Sequence, residues 1–400
     1  MARILISDGE QRSALAATRS LGRAGHEVTV MSRVRRPLAG ASRHCRDSLH
    51  HPDPTADPEA YRRFLDRTFT DLTPEIVLPM TDVSAPFVLG MRPNHPGVLI
   101  PFPAQETYEA ISDKSGLMAA AGELGVPVPQ QVLLEWPPKG RGESADRVMA
   151  ELRLPVVVKP ARSAVEGEGG THRFSVTMVP DREALEATIA AHPEAAYPLL
   201  VQERIQGPGL GVFALFWEGE PLAWFAHRRL REKPPTGGVS VYRESVPLRS
   251  DLKDYAGRLL SHFDWSGVAM VEFKQDEATD TPYLMEINGR FWGSLQLAVD
   301  SGVDFPRVLV DAALGNRPHP VVEYRAGVRS RWLWGEVDHL MALLRRGKEL
   351  RRTHPELPGP LSAVGSFLMP RVQDRLEVMR LGDPGPFLRE TAAWFGDLGG

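Results

Sequence analysis

A short run near residue 290 places an acid, an amide and a cation at alternating positions. In YLMEINGRFWGS, Glu286, Asn288 and Arg290 occupy even positions, whereas the odd positions Met285 and Ile287 are apolar. Successive side chains of a β-strand point to opposite faces, so the three polar side chains are predicted to share one face. Carboxylate and amide oxygens are hard ligands that suit Mg²⁺. The run therefore indicates metal chemistry on one face of a strand.

The segment upstream supplies a second carboxylate. WSGVAMVEFKQ is typical of a strand and DEATDTP of a turn, so the two strands are predicted to form an antiparallel hairpin. If the hairpin is centred near Thr279, Glu272 lies opposite Glu286, and two facing carboxylates repel unless a cation sits between them. Glu272, Glu286 and Asn288 are therefore predicted to hold Mg²⁺, with Mn²⁺ as an alternative. For this hairpin alone, a solvated face without a metal is an equally good interpretation.

Two lysines and a glycine-rich segment suggest a phosphate site. PVVVKPA is a β-branched run that ends at Lys159, and an ammonium group at a buried strand end needs an anion. Lys114, in the first turn of a predicted helix, is a second compact phosphate-binding charge. In RSAVEGEGGTHRF, Gly169 and Gly170 allow backbone N–H groups to approach phosphates. Taken singly, each lysine is also compatible with a surface position.

These motifs belong to a chain that divides into three blocks. Residues 1–111 alternate strands (RILIS, HEVTVMS, PEIVLPM, GVLIP) with helices, which predicts a small parallel α/β domain. Only Asp8-Gly9 follows the first strand, so a dinucleotide fingerprint is missing and a Rossmann-like scaffold is favoured. Residues 112–320 begin with a helix that Ser112 is predicted to cap, and they include a predicted loop, EWPPKGRGES. Residues 321–400 have the pattern of amphipathic helices, predicted to cap a cleft or to mediate a homodimer.

Composition narrows the class of partner. The chain has 42% hydrophobic and 24% charged residues, which is typical of a globular protein. Cys45 is the only cysteine, so an intrachain disulfide is excluded and a reducing cytoplasm is expected. The net charge of −4 disfavours a broad nucleic-acid surface, and neither a signal peptide nor a membrane span is predicted. Small molecules are the expected partners of a cytoplasmic protein.

The order of the motifs resembles a known superfamily. Asp113-Lys114, Lys159-Pro160, QERIQG, Glu272 and EINGR follow one another as they do in ATP-grasp proteins, which include biotin carboxylase, carbamoyl phosphate synthetase and many carboxylate-amine ligases. The resemblance covers residues 1–320. It implies a Rossmann-like domain, α/β in type, followed by a two-lobed α+β ATP-grasp domain with ATP between its lobes. In this chain a helical extension, residues 321–400, follows the region of resemblance.

The resemblance also implies roles for individual residues. Lys114 and Lys159 would bind phosphates, with Lys159 also catalytic, and Arg290 would contact the transferring phosphoryl group or the acyl phosphate. Magnesium would be held by Glu272, Glu286 and Asn288. The adenine hinge would be formed by Gln202, Glu203, Arg204 and Ile205. An acidic ribose ligand often follows the hinge in this family, but GPGLGV offers none.

A carboxylate-amine ligase is therefore the predicted activity. An amine cannot displace oxide from a carboxylate, whereas an acyl phosphate, made with the γ-phosphoryl group of ATP, has a good leaving group. Magnesium, the lysines and Arg290 would neutralise the negative charges of ATP and of the carboxylate. Two alternatives are a nucleotide-binding regulator or scaffold without turnover, and a carboxylase that uses bicarbonate. Walker and G-x-S-x-G motifs are absent from the sequence.

The substrate pocket is less well defined by the sequence. WFAHRRLREKPPTGGVSVYRES predicts a strand and a long active-site loop, and strand alternation keeps His227 and Arg228 on opposite faces. Trp332 and Trp334 are predicted to make core or domain contacts. Neither the acid nor the amine is identified by any motif. The substrate-binding candidates are His227, Arg229, Gly237, Gly238, Trp292, Gly293 and Ser294.

Overall fold

The first block of the chain is an α/β unit. The computed structural model describes residues 1–136, 141–162, 164–167, 170–369 and 371–398. The strands pair in the order β3-β2-β1-β4, all of them parallel, which confirms the Rossmann-like prediction. GVLIP makes only a single bridge, between Ile76 and Leu99, rather than a strand. The elements are β1 (Arg3–Ile6), α1 (Arg12–Arg23), β2 (Glu27–Ser32), β3 (Asp47–His50), α2 (Pro58–Leu72), β4 (Ile76–Leu78), α3 (Ser84–Leu89) and α4 (Gln105–Ser112).

A small antiparallel lobe follows. Its four-stranded sheet has the order β5-β10-β6-β9, and β7 pairs with β8 as a separate ribbon. The lobe has a hydrophobic core of its own, which includes Val156, Val158, Leu185 and Val201. Helix α5 (Lys114–Glu123) precedes the lobe and packs in the core cluster that includes residues of the N-terminal unit. The elements of the lobe are β5 (Gln131–Leu134), α6 (Arg141–Glu151), β6 (Val156–Pro160), β7 (Ala164–Gly167), β8 (Gly170–Arg173), β9 (Thr177–Val179), α7 (Arg182–Ala191) and β10 (Leu199–Glu203).

The second lobe is built on a seven-stranded sheet in the order β15-β14-β11-β12-β13-β16-β17. Its strand β11 is buried on both faces: Val212 packs in one core cluster and Phe213 in another, and both clusters also include residues of the N-terminal α/β unit. This lobe is therefore joined to the N-terminal unit by continuous packing. Its elements up to residue 313 are β11 (Gly209–Trp217), β12 (Glu220–Lys233), β13 (Val239–Ser245), α8 (Ser250–His262), β14 (Gly267–Gln275), β15 (Pro282–Asn288), α9 (Leu295–Ser301) and α10 (Phe305–Ala313).

The C-terminal region is mainly helical, as predicted, but it also completes the large sheet. Its elements are β16 (Arg329–Arg331), α11 (Leu333–Thr353), α12 (Pro360–Leu368), β17 (Asp374–Leu376) and α13 (Gly385–Leu398). Strand β16 pairs with β13 and with β17. Trp332 donates to the Glu390 carboxylate at 2.7 Å, and Trp334 stacks on Trp394, so both tryptophans make the contacts expected of them. The boundaries at residues 112 and 320 stay predictions.

Two local predictions need correction. Asp113, not Ser112, caps α5: its carboxylate accepts from the backbone N–H groups of Ser115 and Gly116 at 2.9 and 3.3 Å, whereas Ser112 ends α4 and donates to Tyr108 O. A carboxylate at this position is also stabilised by the partial positive charge at the N-terminus of the helix. The second correction concerns EWPPKGRGES, of which residues 141–144 are helical and 137–140 lie outside the described residues.

None of the helices that the structure describes is both long and apolar enough to span a bilayer.

Candidate active site

A large cavity lies between the two lobes and brings the predicted site residues together. Its volume is about 1120 Å³, and its wall includes parts of both sheets and of the C-terminal region. Gly169 lies outside the described residues, and of Gly170 only the backbone, at the start of β8, is described. The predicted residues that line the cavity are Lys114, Lys159, Gln202, Glu203, Arg204, Ile205, His227, Arg229, Gly237, Gly238, Glu272, Glu286, Asn288, Arg290, Trp292, Gly293 and Ser294.

The predicted hairpin has the predicted register. Glu272 of β14 pairs directly with Glu286 of β15. One residue later the register shifts, so that Phe273 pairs with Leu284 and Met285 is the extra residue of a β-bulge. Consequently Met285 lines the cavity together with Glu286, although simple alternation put Met285 on the opposite face.

Glu286 lies among Lys114, Asn288 and Lys159 at one end of the cavity. Lys114 Nζ lies 3.5 Å from Glu286 Oε2, and Asn288 Nδ2 donates to Glu286 Oε1 at 3.1 Å. Burial opposes ionisation of Glu286, but Lys114, Asn288 and Lys159 outweigh it and hold the pKa of this carboxyl below its ordinary value. Glu286 is therefore a carboxylate at neutral pH.

Lys159 ends the buried strand β6, as its position in PVVVKPA predicts. Its Nζ makes a contact of 3.8 Å with Met285 Sδ, a weak acceptor. Burial lowers the pKa of Lys159 to about 8, although the nearby Glu286 and Glu272 raise it. A desolvated ammonium group without a strong acceptor favours an incoming anion.

Glu272 is balanced by an arginine. Arg229 of β12 forms an ion pair with Glu272 Oε2, and its Nη1 donates to Glu232 at 2.8 Å. Burial raises the pKa of Glu272 above its ordinary value, and Glu286 adds to the rise, while Arg229 opposes it. Arg229 lies between the two acids Glu272 and Glu232, which keep its pKa above the ordinary value despite burial.

The donor set fits a hard divalent cation that also binds other ligands. Glu272, Glu286 and Asn288 offer two carboxylates and an amide oxygen on one wall of the cavity. Within the described parts of the chain, no group of three or more His, Cys, Asp or Glu side chains is arranged to hold a metal by itself. Magnesium usually keeps waters and phosphate oxygens beside one or two carboxylates, which is the kind of site found here.

Arg290 is held by residues that the sequence did not reveal. Its Nε and Nη2 donate to Asp82 Oδ2 at 2.9 and 2.7 Å, and Nη2 also donates to Asn288 Oδ1 at 2.8 Å. Tyr108 donates its hydroxyl to Asp82 Oδ1 at 3.0 Å. Burial opposes ionisation of Asp82, but Arg290 and Tyr108 hold the pKa of Asp82 below its ordinary value. Asp82 thus fixes Arg290 from the N-terminal unit.

The substrate candidates lie on the same wall as Arg290. His227 is fully buried, its Nδ1 lies 3.3 Å from Ser294 Oγ, and its ring meets Phe213 edge to face. Burial, together with Arg229 and Arg243, lowers the pKa of His227 well below its ordinary value, so the imidazole is neutral. His227 is therefore a neutral hydrogen-bonding group and not a cation for an acidic substrate.

The segment predicted to form the adenine hinge lies at the end of β10. Gln202 is buried, donates from Nε2 to Gln131 Oε1 at 2.8 Å, and its Oε1 accepts from none of the described residues. The Glu203 N–H donates to Gln130 O at 2.9 Å and is not free for a nucleotide. Arg204 pairs with Glu356 at 3.1 Å, which ties the hinge to the segment between α11 and α12.

Comparison with known proteins identifies the fold. A family model described as ATP-grasp in the biosynthetic pathway with Ter operon matches residues 195–336, while no curated protein matches the chain. Among solved structures, biotin carboxylase from Campylobacter jejuni is 16% identical with a TM-score of 0.65, over 82% of this chain and 74% of that chain. Residues 195–336 thus match an ATP-grasp family model, and the chain has the ATP-grasp fold. This confirms the resemblance indicated by the order of the motifs.

Two further structures show the same ATP-grasp fold. The L-amino acid ligase from Bacillus licheniformis is 18% identical with a TM-score of 0.61, over 80% of this chain and 76% of that chain. N5-carboxyaminoimidazole synthetase from Staphylococcus aureus is 12% identical with a TM-score of 0.63, over 88% and 87%. At these identities the ATP-grasp relationship concerns the fold, and the reaction has to be argued from the site.

The ATP-grasp cleft of this protein also has walls that sequence motifs did not indicate. Arg12, at the start of α1, lines the cavity from the N-terminal unit, and Glu336 and His339 of α11 line it from the C-terminal region. Arg12 follows a Gly-Glu-Gln turn that resembles no binding motif, so only its place in the fold identifies it. The C-terminal region therefore borders the cleft, as one of the two roles predicted for it requires.

Proposed function

We propose that this protein is an ATP-dependent ligase that activates a carboxylate as an acyl phosphate and couples it to an amine. One observation carries the proposal: the facing carboxylates Glu272 and Glu286 share a cavity with the lysines Lys114 and Lys159 and with Arg290. Facing acids beside buried cations are costly in an empty site. A metal and a polyphosphate would balance both sets of charges.

The nucleotide is proposed to lie along the first lobe. Gln202, Glu203, Arg204 and Ile205 would border adenine, and the free Gln202 Oε1 is an acceptor for the adenine amino group. Lys114 and Lys159 would bind the phosphates, with the backbone at Gly169 and Gly170 as the proposed cover over them. The lowered pKa of Lys159 is consistent with this role, because an anion replaces the solvation that its ammonium group has lost.

Magnesium is proposed to be held by Glu272, Glu286 and Asn288, with Mn²⁺ as an alternative. When bound, it neutralises charge on the phosphates and lets an anionic carboxylate approach ATP. On this assignment Arg229 leaves Glu272 wholly or in part and turns to its second partner, Glu232. Asn288 positions the side chains of Glu286 and Arg290, since it donates a hydrogen bond to the first and accepts one from the second.

The proposed reaction has two steps. A carboxylate oxygen of the acid attacks the γ-phosphorus, the bond from that phosphorus to the bridging oxygen breaks, and ADP leaves. The neutral amine then attacks the acyl carbon, the bond from that carbon to the phosphate oxygen breaks, and phosphate leaves while the nitrogen loses a proton. Arg290 and Lys159 stabilise the charge on the transferring phosphoryl oxygens, and the planar fork of Arg290 suits them.

The acid and the amine are proposed to occupy the end of the cavity near Arg290. Candidate contacts there are the neutral His227, Arg229 and the loop residues 292–294, with Gly237 and Gly238 at the entrance. Gly238 has no room for a side chain, since an added Cβ would lie 2.4 Å from Lys233 O. Glycine is therefore needed here for the close approach of the loop to Lys233.

A hydroxylamine assay tests the proposal without knowledge of the amine. The full chain is incubated with Mg-ATP, hydroxylamine and a library of carboxylic and amino acids, and nucleotide products and hydroxamates are measured. ADP together with a hydroxamate is the expected result. AMP with pyrophosphate would contradict the acyl phosphate route.

Two other outcomes of the same assay identify the alternatives. ATP cleavage that requires bicarbonate and yields no hydroxamate indicates a carboxylase, in line with the carboxylase fold relatives. ATP binding without turnover for any acid, repeated in the presence of a library of amines, indicates a nucleotide-binding regulator.

A further inference from the structure

One arginine of the cleft belongs to neither the nucleotide site nor the metal site. Arg12 is the first residue of α1 and enters the cavity from the N-terminal unit. Its side chain is 9% exposed, so it is largely removed from bulk water. A guanidinium in such a place is expected to have most of its donors paired.

The donors of Arg12 are only partly used. Nη1 donates to Glu377 Oε2 at 2.5 Å, and the guanidinium lies over the Trp332 ring, 4.0 Å from its centroid. Neither Nε nor Nη2 donates to any of the described residues. A Cβ built on Gly293 would lie 3.1 Å from Arg12 Nη2, so this unused edge adjoins the loop that begins at Arg290.

The charges around Arg12 leave a surplus of positive charge. Glu377 is shared, because the fully buried Arg243 also pairs with its Oε2. Glu390 is the next acid in this group, and burial raises its pKa to about 7, so it is only partly ionised near neutral pH. Two arginines thus share one full carboxylate in a site with little water, where an unbalanced charge is costly.

A neutral donor lies on the same loop. The Trp292 indole is buried and lines the cavity, and its Nε1 donates to none of the described residues. A buried indole N–H usually has an acceptor. Gly293 follows it directly, and a side chain there would crowd Arg12 Nη2.

From this arrangement we propose that Arg12, supported by Trp292, binds an oxyanion group, a carboxylate or phosphate, that a substrate carries in addition to the carboxylate being activated. The inference rests on the proposed ligase function and makes it more specific, since one substrate becomes at least a dianion or an amine bearing an acid group. Arg290 then serves the reacting group and Arg12 the second anion, on the two sides of one short loop. The forked geometry of arginine suits both groups.

Binding measurements test the subsite without turnover. The full chain is saturated with Mg²⁺ and a non-hydrolysable ATP analogue, and calorimetry compares pairs of probes that differ in one charge. In the acid arm the pairs are dicarboxylates of increasing chain length and their monoamides. In the amine arm they are amino acids and their amides. Inorganic phosphate serves as a further probe, an oxyanion that carries no carbon skeleton.

The variants are Arg12→Met and Arg12→Lys, with Arg228→Met as the matched control. Arg228 pairs with Glu244 at 2.9 Å and does not line this cavity, so its loss removes the same charge elsewhere. Glu377 keeps its contact with Arg243 when Arg12 is replaced, which favours a folded protein. Melting temperatures and affinity for the nucleotide analogue report on folding and on the nucleotide site.

The expected result is that one arm shows at least about tenfold tighter binding of the more anionic probe, as a charge-assisted pair provides. Arg12→Met removes this preference and weakens phosphate binding, Arg12→Lys keeps part of both, and Arg228→Met keeps all. The arm that responds identifies the substrate that carries the anion. The subsite is rejected if neither arm discriminates in the wild type, or if Arg12→Met still discriminates.

Failure of this inference and failure of the ligase proposal give different results. A hydroxamate formed equally well from acids with and without a second anion keeps the ligase and rejects the subsite. Charge discrimination that depends on Arg12, in a protein that never forms ADP, keeps the subsite as a ligand site and rejects the ligase.

Discussion

The two ends of the cleft are built in different ways. At the end proposed to bind phosphates, called the phosphate end, Lys159 and the facing pair Glu272 and Glu286 lie on strands that the sequence pattern predicts. Beyond these strands, Asp82 of the N-terminal unit holds Arg290 from its far side, and Arg12 enters the opposite end of the cleft from α1. The phosphate end is thus made by local strand patterns, and the other end by contacts between distant parts of the chain.

This difference suggests a division of labour. An end assembled from short motifs suits the binding of ATP that we propose for it. An end assembled from the N-terminal and C-terminal regions can vary with the substrate, because those regions surround the common site without forming it. Replacements at the first end should stop all turnover, and those at the second should change rate or specificity.

Glu286→Gln should have the largest effect. The change removes the carboxylate proposed to hold magnesium and to pair with Lys114, so ADP formation is expected to fall by about 10³-fold or more. Glu277→Gln, in the exposed turn of the same hairpin, is the control. ADP release is measured beside the melting temperature. Near-normal activity in a normally folded variant would contradict the metal assignment.

Asp82→Asn tests whether the N-terminal unit acts through Arg290. The amide keeps the shape but loses the charge that orients the guanidinium, so we expect kcat to fall about 10- to 100-fold. KM for ATP should change little, because Asp82 contacts Arg290 and Tyr108 rather than the proposed phosphate site. Asp66→Asn, at an exposed ion pair with His95, is the control. A rise in KM for ATP at constant kcat would exclude the positioning role.

The pH dependence of nucleotide affinity probes Lys159. Its pKa of about 8 in the free protein means that the ammonium form predominates at pH 7 and is lost as the pH rises. If only that form binds phosphate, the affinity for Mg-ATP falls about tenfold between pH 7 and 9 by linkage. Titrations across this range measure it. Lys159→Arg, which stays charged, should give a flat profile; an equal slope in both proteins would assign the titration to another group.

The smallest expected effect concerns the pH dependence of the free energy of unfolding, to which Glu390 of α13 contributes. Burial raises the pKa of Glu390 to about 7, above its unfolded value, so the folded state binds the extra proton. The free energy of unfolding should therefore decrease as the pH rises from about 4.5 to 7, by roughly 1–2 kcal/mol from this group. Glu390→Gln retains an acceptor for Trp332 and should remove that slope. Urea unfolding at several pH values measures it, and an unchanged slope would refute the assignment.

The sequence determined the parts of this protein that depend on local geometry. Alternation in two consecutive strands, together with a turn centred near Thr279, predicted Glu272 opposite Glu286, because side chains in a strand repeat every second residue and the turn sets which residues pair. The β-branched run before Lys159 likewise predicted a buried strand with a cation at its end. The order of these motifs along the chain was enough to indicate the superfamily.

Tertiary structure decided what the local patterns left open. Asp82 and Arg290 are separated by 208 residues, and Arg12 and Glu377 by 365, so no periodic pattern relates them. The β-bulge that moves Met285 into the cavity depends on how two strands pair, and one strand alone does not specify it. These contacts exist because two lobes and an N-terminal unit pack around one cavity, and buried charges there require partners wherever in the chain those lie.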